Sequence, residues 1–309
     1  MASKVYHRRM RGLPLVALFA GATCIALSPI WVRVADVGPT ASAFWRAALA
    51  VPLLWALFFS LKTSETKKFP LPALLATGLA FAGDLAFWHW SIQYTSVANS
   101  TLLANLASIF VTLAAWVLWK QRPSGLFLAG LAAALAGTGV LVRASLDFSP
   151  TALLGDALGV VTAMFYAWYL LSVKRLRDRG AATLALMAAT TTITAVLLLP
   201  VAAASAQWSG QSLLPRSAAG WLTLVGLAWI SHAGGQGLIA YALAHLPAAF
   251  SAVGLLLQPV LAGAFAWLLL AEPLGALQCA GGAVVLAGIY LAHRGSWAKL
   301  VQDVGPQPE

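Results

Sequence analysis

The sequence predicts an all-α integral membrane protein of ten transmembrane helices, arranged as two inverted five-helix repeats around a central cavity. Three observations carry this expectation. First, 61% of residues are hydrophobic and 9% charged, against roughly a quarter charged in soluble domains. Second, apolar runs of about 20 residues, each long enough to cross a hydrocarbon core of about 30 Å as a helix, recur along the chain. Third, one half of the chain can be slid onto the other.

The spans are expected at 12–34, 41–61, 70–92, 97–119, 123–142, 154–174, 181–203, 217–243, 248–270 and 274–292. The connections are short, which leaves no room for a soluble catalytic domain. The first span follows a basic segment, as a secretory signal would. Its apolar run nevertheless continues through Ile30, Trp31 and Val32 without a small-x-small cleavage site, so it reads as a membrane helix. Cys24 and Cys279 both fall inside spans and read as small apolar packing residues, with no disulfide or metal site indicated.

The net charge of +10 is an orientation signal. Lys and Arg gather in cytoplasmic loops. With the N-terminus inside, almost all of the 19 fall on the cytoplasmic side; Arg33, Arg143 and Arg216 lie at outer ends and Arg46 lies within the second span. Both termini are therefore expected in the cytoplasm, and no nucleic-acid partner is implied. The expected divisions are a basic N-terminus at 1–11, repeats at 12–150 and 151–292, and a C-terminal tail at 293–309.

Sliding 94–143 onto 245–294 aligns Ala98, Trp116, Gly130, Gly137 and Arg143 with Ala249, Trp267, Gly281, Gly288 and Arg294. The turn WKQRPSG at 119–125 carries Lys120 and Arg122, whereas its counterpart LAEPLGA at 270–276 has lost the positive charge. An odd number of spans per repeat puts these turns on opposite sides, as the charge loss requires.

These residues resemble the drug/metabolite transporter superfamily in its ten-helix EamA-type branch. The resemblance rests on YTSVANSTLLANLASIFVTLAAWVLWKQRPSG, on HLPAAFSAVGLLLQPVLAGAFAWLLLAEPLG and on FWRAAL at 44–49. It implies a basket of inverted repeats around a substrate cavity, usually exporting amino acids or related metabolites. The aromatic amino-acid exporter branch looks similar. The fourth span has Ser108-Ile109-Phe110 in place of the family's Ser-Pro-x-Phe, while the ninth keeps Pro259. Whether the two halves bend alike is left open.

Polar groups in hydrocarbon are costly, so they should converge on a cavity or on each other. In the fourth span Ala98, Thr101, Asn105, Ser108 and Thr112 fall within about 80° of arc. The sixth offers Thr162, Phe165, Tyr166 and Tyr169, the seventh Thr183, Met187, Thr190 and Thr194, and the ninth Ser251, Gly254 and Gln258. His232 and Gln236 share a face of the eighth. Asn105, Tyr166, Thr190, His232 and Gln258 lie about 12–21 Å from a surface, the zone where such carriers bind. Pro29 and Pro259 free backbone groups inside spans.

Asp84 and Trp88 share one side of the third span, while His89 points about 140° away. Asp84 and Arg46 lie at one depth, so Asp84 has two readings: a buried ion pair with Arg46, or a receiver for a substrate ammonium or a proton. Trp168 reads as cavity wall or core packing. The candidate substrate-binding set is therefore Asn105, His232, Gln258, Tyr166, Trp88, Trp168, Asp84, Thr101 and Thr190, with no catalytic residue, metal or cofactor.

The expected function is secondary transport of a small amino acid or related metabolite, outward, from the bacterial inner membrane. A protonatable Asp84 or His232 is compatible with proton coupling, and facilitated diffusion fits equally. Another polar or amine metabolite is the alternative substrate. A membrane enzyme is the rival class, but no His-Glu-x-x-His or Ser-His dyad at one depth is present. The chain is expected to act as a monomer or homodimer in lipid.

Overall fold

Helices follow from the apolar runs because in lipid each backbone amide must be satisfied within its own segment. The computed structural model describes residues 2–61, 69–95, 97–142, 149–271 and 275–304, all helical or in short turns, with no strand among them. The Lys62, Lys67, Lys68, Arg143 and Glu272-Pro273 positions lie outside the described residues. So do the side chains of residues 2–11, of Ala98, and from Trp297 onward.

The helices are α1 (Ala2–Ala26), α2 (Ser28–Val34), α3 (Pro39–Ala48), α4 (Ala50–Ser60), α5 (Leu71–Tyr94), α6 (Val97–Ala104), α7 (Ala107–Trp119) and α8 (Gly125–Val142). In the second half come α9 (Pro150–Asp178), α10 (Thr183–Ser209), α11 (Ala218–Gly226), a π-helical stretch (Leu227–Gln236), α12 (Gly237–Leu243), α13 (Ala248–Gly254), α14 (Leu257–Leu270) and α15 (Ala276–Val304).

Eight described stretches are long and apolar enough to cross a membrane, and Gly125–Leu141 is a shorter apolar helix. The expected span at 217–243 is not among the eight; the π-helical stretch divides it into α11 and α12. Several rods bend where proline or local turns interrupt the ladder. α1 gives way to α2 at Leu27, just before Ser28-Pro29. Ser149 caps α9 by accepting from the Ala152 amide at 3.2 Å, with Pro150 at the first position.

The two halves do bend alike. α6 yields to α7 at residues 105–106, and α13 yields to α14 at 255–256. At both breaks the ladder tightens into i→i−3 bonds, Ser108 N to Asn105 O at 3.1 Å and Gln258 N to Leu255 O at 2.9 Å. Pro259 lacks the amide that Leu255 O would otherwise accept. Ser108 at the matching position does not prevent the same turn.

α8 and α15 form the tightest pair. A Cβ on Gly130 would lie 2.6 Å from the Gly288 carbonyl oxygen, and one on Gly137 would lie 2.7 Å from that of Gly281. Only glycine lets two backbones approach so closely. The pairing of 130 with 288 and 137 with 281 makes the two helices antiparallel.

The core is built on α5 packed against α9 and α10, with α1 against α12 and the π-helical stretch. Leu18, Leu243, Phe250 and Val253 are fully buried and join α1, α12 and α13 into an apolar layer. On each of these rods the layer lies about two turns from the cavity described next.

Candidate functional site

One cavity gathers the polar groups. It is lined from both halves of the chain, and the space free of atoms within its walls, counting what opens to the outside, is about 610 Å³. α1 and α2 contribute Ile25, Ala26, Ser28 and Pro29; α3 contributes Arg46; α5 contributes Asp84, Leu85 and Trp88. Thr101 and Ala104 come from α6, with Asn105 at the break that follows it. Tyr166 comes from α9, Gln236 from the end of the π-helical stretch, and Gln258 and Ala262 from α14.

The helix breaks explain the positions. Ser28 and Pro29 start α2, and Asn105 sits where α6 gives way to α7. Gln258 follows the matching break in the second half. Asn105 holds its amide by donating Nδ2 to Thr101 O at 2.8 Å.

Five of the nine buried side-chain polar atoms without a partner among the described residues belong to this lining: Ser28 Oγ, Arg46 Nε, Tyr166 Oη, Gln236 Oε1 and Gln258 Nε2. Each such atom costs about 1–3 kcal/mol if nothing pairs with it. The Tyr166 hydroxyl stands beside the Gln236 and Gln258 amides, though outside good hydrogen-bond geometry with either. Convergent, unpaired donors and acceptors in an apolar bundle are what a polar ligand or water would satisfy.

Of the nine residues expected from sequence, Asn105, Gln258, Tyr166, Trp88, Asp84 and Thr101 line the cavity together. His232, Thr190 and Trp168 do not. His232 is fully buried, with Nε2 2.9 Å from Thr191 Oγ1 and its ring 5.2 Å from Phe81. Thr190 folds its hydroxyl back onto Leu186 O at 2.8 Å. Trp168 is 40% exposed on the outside of α9 and packs against Phe165.

Much of the remaining polar striping is likewise self-satisfied. Ser108, Thr112, Thr162 and Ser251 each donate to a carbonyl one turn back on their own helix. Thr194 instead donates to Gly78 O on α5 at 3.0 Å.

The expected ion pair between Arg46 and Asp84 is not a contact pair. Both line the cavity, but no ion pair within 4 Å joins them, whereas Lys174 and Asp178 pair at 2.6 Å. His89 points elsewhere, its Nδ1 2.6 Å from Leu85 O. Among the described residues no cluster of His, Cys, Asp and Glu could hold a metal ion.

Three polar lining residues were absent from the sequence-derived set: Arg46, Ser28 and Gln236. Arg46 was read as a partner for Asp84, and Ser28 as a neighbour of the Pro29 kink. Gln236 was tied to His232 because residues four apart share a face of an α-helix. Four residues make slightly more than one α-helical turn but slightly less than one π-helical turn, so the π-helical stretch swings Gln236 to the other side of His232. One then reaches the cavity and the other Thr191.

The EamA-like transporter family matches this chain twice, at residues 12–143 and 153–294. A "Probable amino-acid metabolite efflux pump" of Salmonella typhimurium is 30% identical over 230 residues, 72% of this chain and 77% of that one. A protein of the same description from Escherichia coli is 29% identical over 243 residues, 76% and 81%. An "Uncharacterized transporter" of Archaeoglobus fulgidus is 29% identical over 269 residues, 85% and 90%. A solved crystal structure superposes with a TM-score of 0.78 over 93% of this chain and 99% of that one, at 16% identity, which shows a shared fold. With its apolar helices and its doubled match, the chain is an integral membrane transporter and belongs to the EamA-like transporter family.

Proposed function

We propose that the protein is a secondary transporter exporting small amino acids or related metabolites by alternating access about this cavity. The observation that carries the reading is the set of five unpaired buried polar atoms converging on this cavity. The description of the two bacterial relatives as probable amino-acid metabolite efflux pumps points the same way.

In this reading the chain crosses the membrane ten times, as two inverted five-helix repeats divided near residue 150, with both termini in the cytoplasm of a bacterial inner membrane. Three features support it. The helix breaks at 105–106 and 255–256 fall 150 residues apart, within one residue of the offset that aligns the two halves. The α8–α15 seam is self-complementary under the 151-residue offset, since Gly130 corresponds to Gly281 and Gly137 to Gly288. The basic residues of the first turn have no counterpart in the second.

The apolar layer of Leu18, Leu243, Phe250 and Val253 then closes the cavity toward the cytoplasm. Transport requires the layer to part while the opposite end closes. Substrate binds among Asn105, Gln258, Tyr166, Gln236 and Trp88, with Thr101 and Asp84 completing the wall.

The test is uptake of radiolabelled amino acids into proteoliposomes, with and without an imposed proton gradient. Asn105→Leu and Gln258→Leu are expected to slow the initial rate about tenfold, the loss of one to two hydrogen bonds, with thermal stability retained. Wild-type rates in both variants would remove the cavity from the mechanism.

A further inference from the structure

We infer that Arg46 and Asp84 form a two-point clamp for a zwitterion: the Arg46 guanidinium receives the carboxylate of an α-amino acid, and the Asp84 carboxylate receives its ammonium. The inference rests on the transport reading above and assigns the role of each charge within it.

The two residues come from different helices, Arg46 from α3 and Asp84 from α5, and both line the cavity. Arg46 is 4% exposed and Asp84 9%. Buried opposite charges ordinarily close into a contact pair, because an isolated buried charge is far more costly than a paired one. Here they stand apart. Arg46 Nε has no hydrogen-bond partner, and no contact ion pair joins it to Asp84, the described pair being Lys174 with Asp178.

A ligand that answers both charges at once carries an anion and a cation on one small frame and has no net charge. A planar carboxylate matches the guanidinium fork, and an ammonium matches a carboxylate. A simple amine would satisfy Asp84 but bring a further positive charge toward Arg46. A simple acid would satisfy Arg46 but repel Asp84. The rest of the wall includes Ile25, Leu85, Ala104, Ala262 and Trp88, an apolar surface suited to an uncharged aliphatic or aromatic side chain.

Trp88 stands one turn beyond Asp84 on α5, and its ring meets His89 edge-on at 4.7 Å. It therefore borders the ammonium position, where an indole face favours a cation.

The experiment uses the full-length protein in detergent and reads binding by ligand-dependent thermal shift. The probes are alanine, leucine and phenylalanine, each with the matched amine lacking the carboxylate and the matched acid lacking the amine. Wild type is expected to bind at least one of the amino acids about a hundredfold more tightly than its amine or its acid. Asp84→Asn, nearly the same shape, should reverse the preference toward the acid, and Arg46→Gln toward the amine. A merely structural role for either residue would weaken all three ligand types alike.

Should a single variant fail to fold because one buried charge is left alone, the double variant Asp84→Asn, Arg46→Gln removes both and is expected to lose zwitterion preference. The wild-type series decides the matter without any variant. If amines or acids bind as tightly as amino acids, or if no amino acid binds, the clamp is overturned. That result is distinct from failure of the transport reading, which is judged by whether Asn105→Leu and Gln258→Leu leave transport untouched.

Discussion

Lys120 and Ala271, 151 residues apart, are the two non-glycine residues with positive φ among those described, at 57° and 54°. Each closes a helix, Lys120 after α7 and Ala271 after α14, and each amide donates five residues back, to Ala115 O and Ala266 O. One turn geometry has been kept in both halves while its chemistry diverged, a cation in one and a methyl in the other.

A side chain in the left-handed region costs about 1–2 kcal/mol that glycine does not incur. Lys120→Gly and Ala271→Gly are each expected to stabilise the protein by about 1 kcal/mol, read as a raised thermal midpoint in detergent. Accessibility adds a topological reading. In a background with Cys24 and Cys279 replaced by alanine, Lys120→Cys and Ala271→Cys should react with an impermeant thiol reagent from opposite faces of the membrane. Reaction from one face would overturn the inverted arrangement.

The seam between α8 and α15 gives a second test. A Cβ on Gly288 would lie 2.6 Å from Gly130 O, against backbone that has no rotamer with which to yield. Gly288→Leu is expected to destabilise by at least about 1–3 kcal/mol, the usual range for overpacking. Gly139 lies in the same helix as Gly130 with nothing within 4 Å of its added Cβ. Gly139→Ala is therefore expected to be neutral or stabilising by about 1 kcal/mol. Equal effects at the two positions would count against close packing as the reason for the glycines.

The difference between those glycines was not visible in sequence, and the reason is general for this chain. Periodicity and composition report which residues are apolar and how they alternate, so the helices and the glycine-bearing fifth and tenth spans, which became α8 and α15, were legible. Asn105, Gln258 and Asp84 were legible as cavity residues because a polar group deep in an apolar run has few places to go. Thr190 was not separable from them, because a threonine hydroxyl can satisfy itself on its own helix, as it does on Leu186 O. Gln236 and His232 diverged because the π-helical stretch altered the phase on which face assignments depend. Trp168 shows the same limit from another side: an indole near mid-helix suits a cavity wall or core packing, and its 40% exposure puts it in neither.

pH dependence should appear in the loop between α2 and α3. Asp36 accepts hydrogen bonds from the Ser217 hydroxyl at 2.9 Å and from the Arg216 and Ser217 amides at 3.1 Å, tying this loop to the start of α11. The Ser217 hydroxyl above all, with those amides, holds the Asp36 carboxyl below its ordinary value. A carboxyl with a lowered folded-state pKa stabilises the fold above its unfolded value and loses that contribution as pH falls through the folded one. Thermal stability is therefore expected to fall below the ordinary carboxylate range in wild type, and Asp36→Asn should flatten that part of the curve. An unchanged profile in Asp36→Asn would remove this contact from the acid response.

His232 tests the division between structural polarity and the substrate-binding polarity proposed for the cavity. It is fully buried, its Nε2 lies 2.9 Å from Thr191 Oγ1, and Nδ1 has no partner. The histidine therefore joins the π-helical stretch to α10 and faces away from the cavity. His232→Leu removes that bond and leaves the Thr191 hydroxyl to turn back toward its own helix, so the net cost is expected to be about 1 kcal/mol. Because no substrate contact is lost, KM should stay within about twofold of wild type, less than the 1.4 kcal/mol of a tenfold change. Gln258→Leu, in contrast, should raise KM with little change in thermal midpoint. A His232→Leu protein with wild-type stability and a raised KM would move the histidine back among the substrate-binding groups and require the π-helical stretch to turn during transport.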